Sequence, residues 1–535
     1  MCRWPKILFF LLSLLTMQTG VVMADDNSLE QIQALLISNK FTEKTQAVSL
    51  LALHSHPRTV EILKAFLDSE LYYRKSDKLL LIAKKQGRQY SISDALNGDE
   101  LGVVKKREIK KIRSNNAIRK KIRTVLAAKE LNSADAVVRY QAVKTMLSNP
   151  DAGVIEQLQH RLELEQDQKV RDVIEQALAT TRLEGGKKEG RLTAITRVSG
   201  SLEPIVRSKL ESIVANDPDE EVRMAAKTSL NNINAKLQLY SFLETLFFGL
   251  SLGSVLVLAA IGLAITFGVM GVINMAHGEL IMLGAYTTYV IQQAIPEFIG
   301  VSILLAIPVA FIVSGLVGIL IEQTVIRHLY GRPLETLLAT FGISLILQQA
   351  VRSIFSPLNR SVITPDWMSG SLEINSALSL TYNRFYIIFF SLLVFTALFL
   401  ILKRTSLGLQ VRAVTQNRTM ARAMGVRSAW VDAMTFGLGS GIAGVAGVAL
   451  SQLTNVGPNL GQAYIVDSFM VVVFGGVGNL AGTLISGFSL GIANQFLEPW
   501  VGAVLAKILI LIFIILFIQK RPRGLFPQKG RSAEG

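Results

Sequence analysis

Two short polar segments lie inside apolar stretches of the chain and are its first candidates for chemistry. They are 271–279, which reads GVINMAHGE, and 476–479, which reads GVGN. Each places an asparagine among glycines, so an amide that donates and accepts hydrogen bonds stands beside backbone that can open. The segments predict contacts to a small polar solute along a substrate path. The candidate residues are Gly271, Asn274, His277, Gly278, Glu279, Gly476, Gly478 and Asn479.

The two segments match each other, with one position deleted in the second. Paired breaks of this kind are typical of discontinuous helices in transporters built from repeated halves. A chance match of Gly-rich and Ala-rich sequence is the alternative. His277 and Glu279 are ionisable, and charged groups within a membrane usually face a cavity or a partner. Alternatively, both lie just outside the lipid in a cytoplasmic turn.

Long uncharged runs surround these segments. No charge occurs between Glu244 and Glu279, between Glu297 and Glu322, between Arg384 and Lys403, between Asp432 and Asp467, or between Asp467 and Glu498. Such runs can cross a hydrocarbon core of about 30 Å as helices. We expect an all-α polytopic membrane domain over 241–535, with repeated halves and discontinuous helices. Region 468–497 reads either as two short spans or as a re-entrant pair, so the number of spans between 468 and 518 stays open.

Composition separates this domain from the residues before it. The 535-residue chain is 50% hydrophobic and 18% charged, below the roughly 25% charged residues of soluble domains. Residues 1–240 hold 38 basic and 29 acidic residues, whereas the rest hold 17 and 11. The net charge of +15 gives little support to a nucleic-acid partner, because the basic residues of the membrane domain lie in its loops, as membrane topology requires.

The N-terminus predicts an exported domain. Arg3 and Lys6 precede an apolar run, and Val22-Met23-Ala24 resembles a cleavage site, so residues 1–24 read as a signal peptide. A short membrane anchor is the alternative, and cleavage or retention stays open. Cys2 is the only cysteine and precedes the apolar run, so it is not a lipid-accepting residue. Residues 25–238 would then form a periplasmic domain.

The exported domain reads as mostly α-helical. A short motif recurs at Val138-Arg139, Val170-Arg171 and Val222-Arg223, and this resembles HEAT-type helical repeats. A small β-hairpin is expected between 71 and 101. The basic stretch 105–123 suits anionic lipid headgroups or a partner, or it is a solvated helix face. The sequence does not name the partner of this domain.

Basic loops set the expected sidedness of the membrane domain. Loop 403–430 is rich in lysine and arginine, as is the tail 519–535, and both belong in the cytoplasm. Arg327 and Arg332 place a third loop there. The chain contains no G-x-x-x-x-G-K-[ST] motif and no metal-ligand spacing, so we expect no enzymatic activity, no cofactor and no metal in this chain.

With these residues in view, the membrane domain resembles a known family. Segment 271–279 resembles the signature of the branched-chain amino acid type of ABC permease. Segments 331–342 (GRPLETLLATFG) and 518–527 (IQKRPRGLFP) more narrowly resemble the urea branch of that family, and the resemblance covers 241–531. It implies an inner-membrane translocation subunit that works with a second related permease, two cytoplasmic ATPases and a periplasmic substrate-binding protein.

Within loop 403–430, a short helix with a glycine cap is expected over 410–425. It resembles the coupling helix that sits in a groove of the ATPase in such permeases. Positive-inside charge alone is the other interpretation. We expect the small face formed by Ala413 and Ala421 to enter the groove. The candidate coupling residues are Arg412, Ala413, Gln416, Asn417, Ala421 and Gly425.

Three functions compete at this stage. The first is an ATP-driven importer of urea or a close small amide. The second is a branched-chain amino acid permease, against which the uncharged helix interiors argue, because a zwitterion needs groups that bind charge. The third is a passive urea channel or an ion-coupled carrier, which needs no ATPase. Substrate affinity and strict selectivity are not encoded in any motif that we can identify.

Overall fold

The computed structural model describes residues 29–53, 56–86, 89–147, 152–183 and 185–526. Contacts divide the chain into two compact units, and the boundary between Ala235 and Lys236 falls inside the helix Glu220–Met270. The predicted signal peptide, residues 1–24, lies outside the described residues. Residues 527–535 of the predicted tail also lie outside them.

Helices dominate the first unit, and two of the clusters of buried side chains in its core include helical residues. One cluster includes Leu36, Phe66 and Ile118, and the other includes Met146 and Ile174. The elements are α1 (29–37), α2 (Phe41–Leu53), α3 (Thr59–Leu67), β1 (Leu71–Arg74), β2 (Leu80–Gln86), β3 (Gln89–Asp94), β4 (Glu100–Lys105), β5 (Ile109–Lys111), α4 (Asn116–Glu130), α5 (Ala136–Leu147), α6 (Ala152–Leu164), α7 (Gln168–Arg182), α8 (Lys188–Val198) and α9 (Pro204–Asn216).

The strands form a sheet that is larger than the predicted hairpin. It is a five-stranded antiparallel sheet in the order β4-β3-β2-β1-β5. Part of the basic stretch belongs to it, because β5 pairs with β1 and aligns Lys110 with Tyr73. Ile109 supplies the buried side chain of β5 between charged neighbours. The density of charge hid this apolar position from sequence analysis, which expected a helix face at this point.

The recurring arginines share one role. Arg139, Arg171 and Arg223 are each the fourth residue of a helix, and the Nη1 of each donates two hydrogen bonds to carbonyl groups that precede that helix. These bonds hold the connection in place and satisfy backbone acceptors that precede the helix. The resemblance to HEAT-type repeats stays a prediction. The acceptors are, in order, Ser133 and Ala134, Leu162 and Glu165, and Asp217 and Pro218.

The second unit is mostly helical, as predicted. Among the described residues, seven helices are long and apolar enough to cross a membrane, namely α10, α12, α13, α14, α17, α19 and α20. A β-hairpin precedes α14 and was not predicted. The elements are α10 (Glu220–Met270), α11 (His277–Ala294), α12 (Ile299–Thr324), α13 (Pro333–Phe355), β6 (Ser371–Asn375), β7 (Leu378–Thr381), α14 (Tyr382–Arg404), α15 (Ser406–Gln416), α16 (Arg418–Ala423), α17 (Ser428–Ser451), α18 (Leu460–Gly475), α19 (Leu480–Val501) and α20 (Ala503–Lys520).

Helix α17 lies at the centre of this unit and is almost entirely buried. It packs closely on α11 and α12 through glycine. A Cβ atom on Gly284 of α11 would collide with the backbone of Gly444, and one on Gly447 would collide with that of Ile281. Backbones approach this closely only where side chains are absent.

The region after Asp467 contains one short helix and two longer ones. Helix α18 ends at Gly475, and α19 is a single helix of 22 residues followed by the 18 residues of α20. Helix α19 runs without interruption from Leu480 to Val501, so 468–497 does not contain two short helical spans, and the re-entrant pair stays a prediction.

Candidate functional site

The first predicted break is present as a non-helical segment between α10 and α11. Gly271 adopts φ 67°, a conformation that favours glycine and turns the chain out of the helix. Asn274 follows, is fully buried, and accepts a hydrogen bond from the backbone N–H of Ala276 at 3.0 Å through its side-chain oxygen. Its Nδ2 is buried without a partner. The amide therefore shapes the break and retains an unused donor.

His277 and Glu279 both lie in the first turn of α11 and are buried rather than placed in an exposed turn. They contact different helices. His277 Nε2 lies 2.8 Å from the carbonyl oxygen of Ala259 on α10, so this ring joins two helices. The Oε1 atom of Glu279 accepts a hydrogen bond from Ser344 on α13 at 3.2 Å. The structure therefore separates His277 from Glu279.

A polar stripe on α13 faces the first break and was missed by sequence analysis. Thr336, Thr340, Ser344 and Gln348 are buried and spaced four residues apart, so they share one side of the helix. The Thr340 hydroxyl accepts a hydrogen bond from the N–H of Met275 at 3.1 Å. The regular spacing of hydroxyl and amide side chains was the signal available in the sequence.

The stripe continues toward the turn before α18. Gln348 Nε2 and Arg352 Nη2 both donate to the Oδ1 of Asn459, at 3.1 and 2.8 Å. A buried carboxylate, Glu279, therefore lies near one part of the stripe and a guanidinium lies at its end. Both groups lie near helix ends, Glu279 in the first turn of α11 and Arg352 in the last turn of α13, so the expectation of nearly uncharged helix interiors stays a prediction.

The second predicted break lies between α18 and α19. Gly476 adopts φ 103°. Asn479 accepts a hydrogen bond from the N–H of Gly482 at 3.1 Å, and its Nδ2 donates to the carbonyl oxygen of Phe526 at 3.1 Å. Asn479 is therefore the N-cap of α19 and an anchor for the tail, so its amide is already engaged on both sides.

The tail folds back onto this break. The N–H groups of Leu525 and Phe526 donate to the carbonyl oxygens of Phe474 and Gly475, at 2.9 and 3.2 Å. Leu525 and Phe526, near the end of the segment 518–527 that resembles the urea branch, thus contact the residues that precede the break. A further contact brings the two breaks toward each other, because a Cβ atom on Gly268 of α10 would collide with Gly478.

A cavity of about 620 Å³ lies beside the second break. It is lined by the end of α10, the end of α14, α15 and the break. Arg412 and Gln416, both predicted as coupling residues, line it together with Gly478 and Asn479. The structure thus brings part of the predicted coupling segment and part of the predicted substrate path to one cavity.

The predicted coupling helix is two helices rather than one. Helix α15 ends at Gln416, and α16 begins after Asn417, whose side chain accepts a hydrogen bond from the N–H of Met420 at 2.9 Å. Asn417 interrupts the first helix and caps the second, which is a common use of asparagine. Gly425 adopts φ 85° and ends α16, as the glycine cap predicts.

The small face of this segment points inward, contrary to the expectation that it enters a partner groove. Ala421 is only 6% exposed and packs with Val411, Val414 and Val431, while Ala413 is half-buried against the same cluster. The face left open is different. It carries two large apolar side chains one turn apart, Met420 at 61% and Met424 at 79% exposure.

Comparison with known proteins places the chain in a family. The chain matches the family described as "Branched-chain amino acid transport system / permease component" over residues 245–518. No solved structure matches the chain. Within the part of the chain that the structure describes, no group of three or more His, Cys, Asp or Glu side chains could hold a metal ion.

Named relatives agree with this match. The chain is 31% identical over 300 residues to the high-affinity branched-chain amino acid transport system permease protein LivH of Salmonella typhimurium, covering 54% of this chain and 96% of the relative. It is 29% identical over 297 residues to the corresponding protein BraD of Pseudomonas aeruginosa, with the same shares. Together with the apolar helices of the second unit, these matches show that the chain belongs to the branched-chain amino acid transport permease family.

Proposed function

We propose that this chain is a membrane-spanning permease subunit of an ATP-binding-cassette importer and moves a small polar solute inward. The observation that carries the proposal is the buried polar contact between Glu279 and Ser344, set among apolar helices. Burying polar groups in a membrane is costly, so they are retained where they serve a solute or a packing contact. Asn274, with its unused donor, belongs to the same path. His277 fixes α11 against α10.

Partner subunits complete the importer. The chain carries no nucleotide-binding motif, so ATP hydrolysis comes from two cytoplasmic ATPases. A second related permease forms the other half of the passage, and a periplasmic binding protein delivers the solute. The residues that meet the ATPase are on α15 and α16. Arg412, Gln416 and Asn479 border one cavity, so a shift of α15 changes the space beside the second break.

Orientation follows from the basic loops. Residues 25–238 are periplasmic after a signal peptide at 1–24, and the tail and the α15–α16 segment are cytoplasmic. Reporter fusions at Gly190 and Gly530 test this arrangement. A reporter active only outside at Gly190 and only inside at Gly530 supports it, and two reporters on the same side would contradict it.

Two substrates compete. Branched-chain amino acids come first, because the relatives LivH and BraD carry that activity in their names. Glu279 of α11 contacts Ser344 of α13, and Arg352 lies further along α13, so a carboxyl group and a guanidinium are available for the two charges of an amino acid. Urea is the second candidate. Segments 331–342 and 518–527 resemble the urea branch of the family.

The experiment is uptake by the complete complex. The chain is purified with its partner permease, ATPases and binding protein and reconstituted in vesicles loaded with ATP. Uptake of radiolabelled leucine and radiolabelled urea is measured against the same complex with an ATPase unable to hydrolyse ATP. ATP-dependent uptake of one solute supports the proposal and selects the substrate. Uptake that persists without hydrolysis would identify a passive channel or an ion-coupled carrier instead.

A further inference from the structure

Three buried polar side-chain atoms on α11 have no partner; one is the Nδ1 of His277, whose ring contacts α10, and the other two belong to residues that face α13. These two are the Oε2 of Glu279 and the hydroxyl of Tyr286. The residues are seven positions apart, so they lie on one side of α11, separated by about 10 Å along its axis. Glu279 contacts Ser344, and the Tyr286 ring lies 4.8 Å from that of Phe355. The interface between α11 and α13, here called the seam, therefore contains an acceptor and a hydroxyl group that have no hydrogen-bond partner.

Such atoms are uncommon, because buried polar groups in proteins are nearly always hydrogen-bonded. Here the opposite wall of the seam is polar as well. Ser344 and Gln348 lie on the side of α13 that faces inward, whereas the apolar Leu338, Ile346 and Ile354 lie exposed on the other side. The seam thus has hydrogen-bonding groups on both helices. Two of these groups, the Glu279 Oε2 and the Tyr286 hydroxyl, have no hydrogen-bond partner within the protein.

We propose that the seam between α11 and α13 is the solute-binding wall of the passage. The Oε2 of Glu279 accepts a hydrogen bond from an N–H group of the solute. The Tyr286 hydroxyl contacts the same solute further along the seam and donates to its carbonyl or carboxylate oxygen. This inference rests on the proposed importer function and assigns its specificity. The solute class is a small molecule that carries N–H donors together with an oxygen acceptor.

The N–H donor can come from two sources, the ammonium group of an amino acid or the amide of urea. Hydrogen bonds between two charged groups are stronger than those with one neutral partner. Replacing the Glu279 carboxylate by an amide of the same shape therefore affects an ammonium more than it affects urea. The ratio of the two effects reports on recognition, whereas a folding defect would lower the uptake of both solutes equally.

The test uses the complete complex in vesicles and compares Glu279→Gln and Tyr286→Phe with Tyr289→Phe. Tyr289 is a matched control because it also packs against Phe355, edge-on at 6.3 Å, while its hydroxyl is not among the unpartnered buried atoms. We expect Glu279→Gln to lower kcat/KM about tenfold or more for an amino acid substrate and about threefold for urea. Tyr286→Phe should lower uptake about threefold, and Tyr289→Phe should retain wild-type uptake.

Wild-type uptake by both Glu279→Gln and Tyr286→Phe would overturn the assignment of the seam. Equal losses in Tyr286→Phe and Tyr289→Phe would overturn it as well, because they would indicate a general packing effect. A wild-type complex that takes up neither solute with ATP would instead overturn the importer function itself. If Glu279→Gln does not assemble, the comparison of the two tyrosine variants decides the proposal.

Discussion

Arg418 of α16 forms an ion pair with Asp432, a buried residue near the start of α17. The same guanidinium lies 3.9 Å from the centre of the Tyr330 ring. Tyr330 belongs to the connection between α12 and α13. One side chain therefore joins the α15–α16 segment to the central helix and to a second connection. We therefore expect this pair to pass a displacement of α16 to α17.

The first prediction concerns that pair. Asp432→Asn removes the charge opposite Arg418, and breaking a largely buried pair costs about 3–5 kcal/mol. We expect ATP hydrolysis by the reconstituted complex to continue while solute uptake falls at least tenfold. Faster hydrogen exchange in 406–423 should accompany the loss. Arg427→Gln, at an exposed site in the same loop, is the control, and equal behaviour of the two variants would refute the role of the pair.

The second prediction concerns the face of α16 that meets the ATPase. Met420→Asp and Met424→Asp place charge on the exposed apolar side chains, so the ATPase should no longer copurify with the permease. Met420→Leu keeps the apolar surface and should preserve copurification. Ala421→Leu overpacks the chain's own core, which costs about 1–3 kcal/mol, and it should lower the unfolding temperature of the isolated chain. If the ATPase still copurified with both aspartate variants, the face formed by Met420 and Met424 would not be its contact surface.

The third prediction separates the two functions of Asn479. Asn479→Asp keeps the oxygen that caps α19 and loses the Nδ2 donor to Phe526, whereas Asn479→Leu loses both bonds. We expect the aspartate variant to free the tail without destabilising α19. The leucine variant should in addition lose about 0.5–2 kcal/mol of stability through its missing cap. Accessibility of a cysteine introduced at Phe526 measures release of the tail, and unchanged accessibility in both variants would argue against the anchor.

The fourth prediction concerns Asn274. Asn274→Leu leaves the N–H of Ala276 buried without an acceptor and removes the unused Nδ2, at a cost of about 1–3 kcal/mol. A complex that inserts and assembles normally should lose solute uptake. Thr340→Val, which removes the hydroxyl that accepts from Met275, should weaken the same break. If the complex with Asn274→Leu took up solute as well as the wild type, the substrate path would not pass Asn274.

The fifth prediction concerns acid stability of the first unit. Hydrogen bonds from Arg139 lower the pKa of Glu165 from 4.5 to about 2, against the opposing effect of burial. Because the pKa is lower in the folded state, the stabilisation is present above pH 4.5 and is lost as the pH falls toward 2. It amounts to about 3 kcal/mol. Hydrogen exchange of α5 and α7 should accelerate over this range, and Glu165→Gln should abolish the pH dependence.

Much of the membrane unit could be predicted from the sequence. Uncharged runs located the long helices, and glycine beside Asn274 and Asn479 marked both interruptions, because these signals depend on local composition. The glycine cap at Gly425 was predicted for the same reason. Such features depend on residues that are close together in the chain.

What sequence analysis missed depends on tertiary contacts. The inward face of Ala421 is set by packing against Val431, and the separation of His277 from Glu279 follows from which helices lie on either side of α11. The polar stripe around Ser344 was visible as a spacing, yet its meaning required the position of Glu279. In the first unit, the pairing of β5 with β1 joins strands about 35 residues apart, beyond the reach of a local pattern.

The glycine contacts of α17 have a mechanical consequence. Where the backbone of Gly444 fits against Gly284, the two helices are in direct backbone contact, so we expect α11 and α17 to move together as one frame. We expect the motion to be a hinge rotation of this frame. The irregular segments 271–276 and 476–479 lie at the ends of helices, where such rotation is absorbed. On this view, we expect a transport cycle to tilt an intact frame rather than to repack its interior.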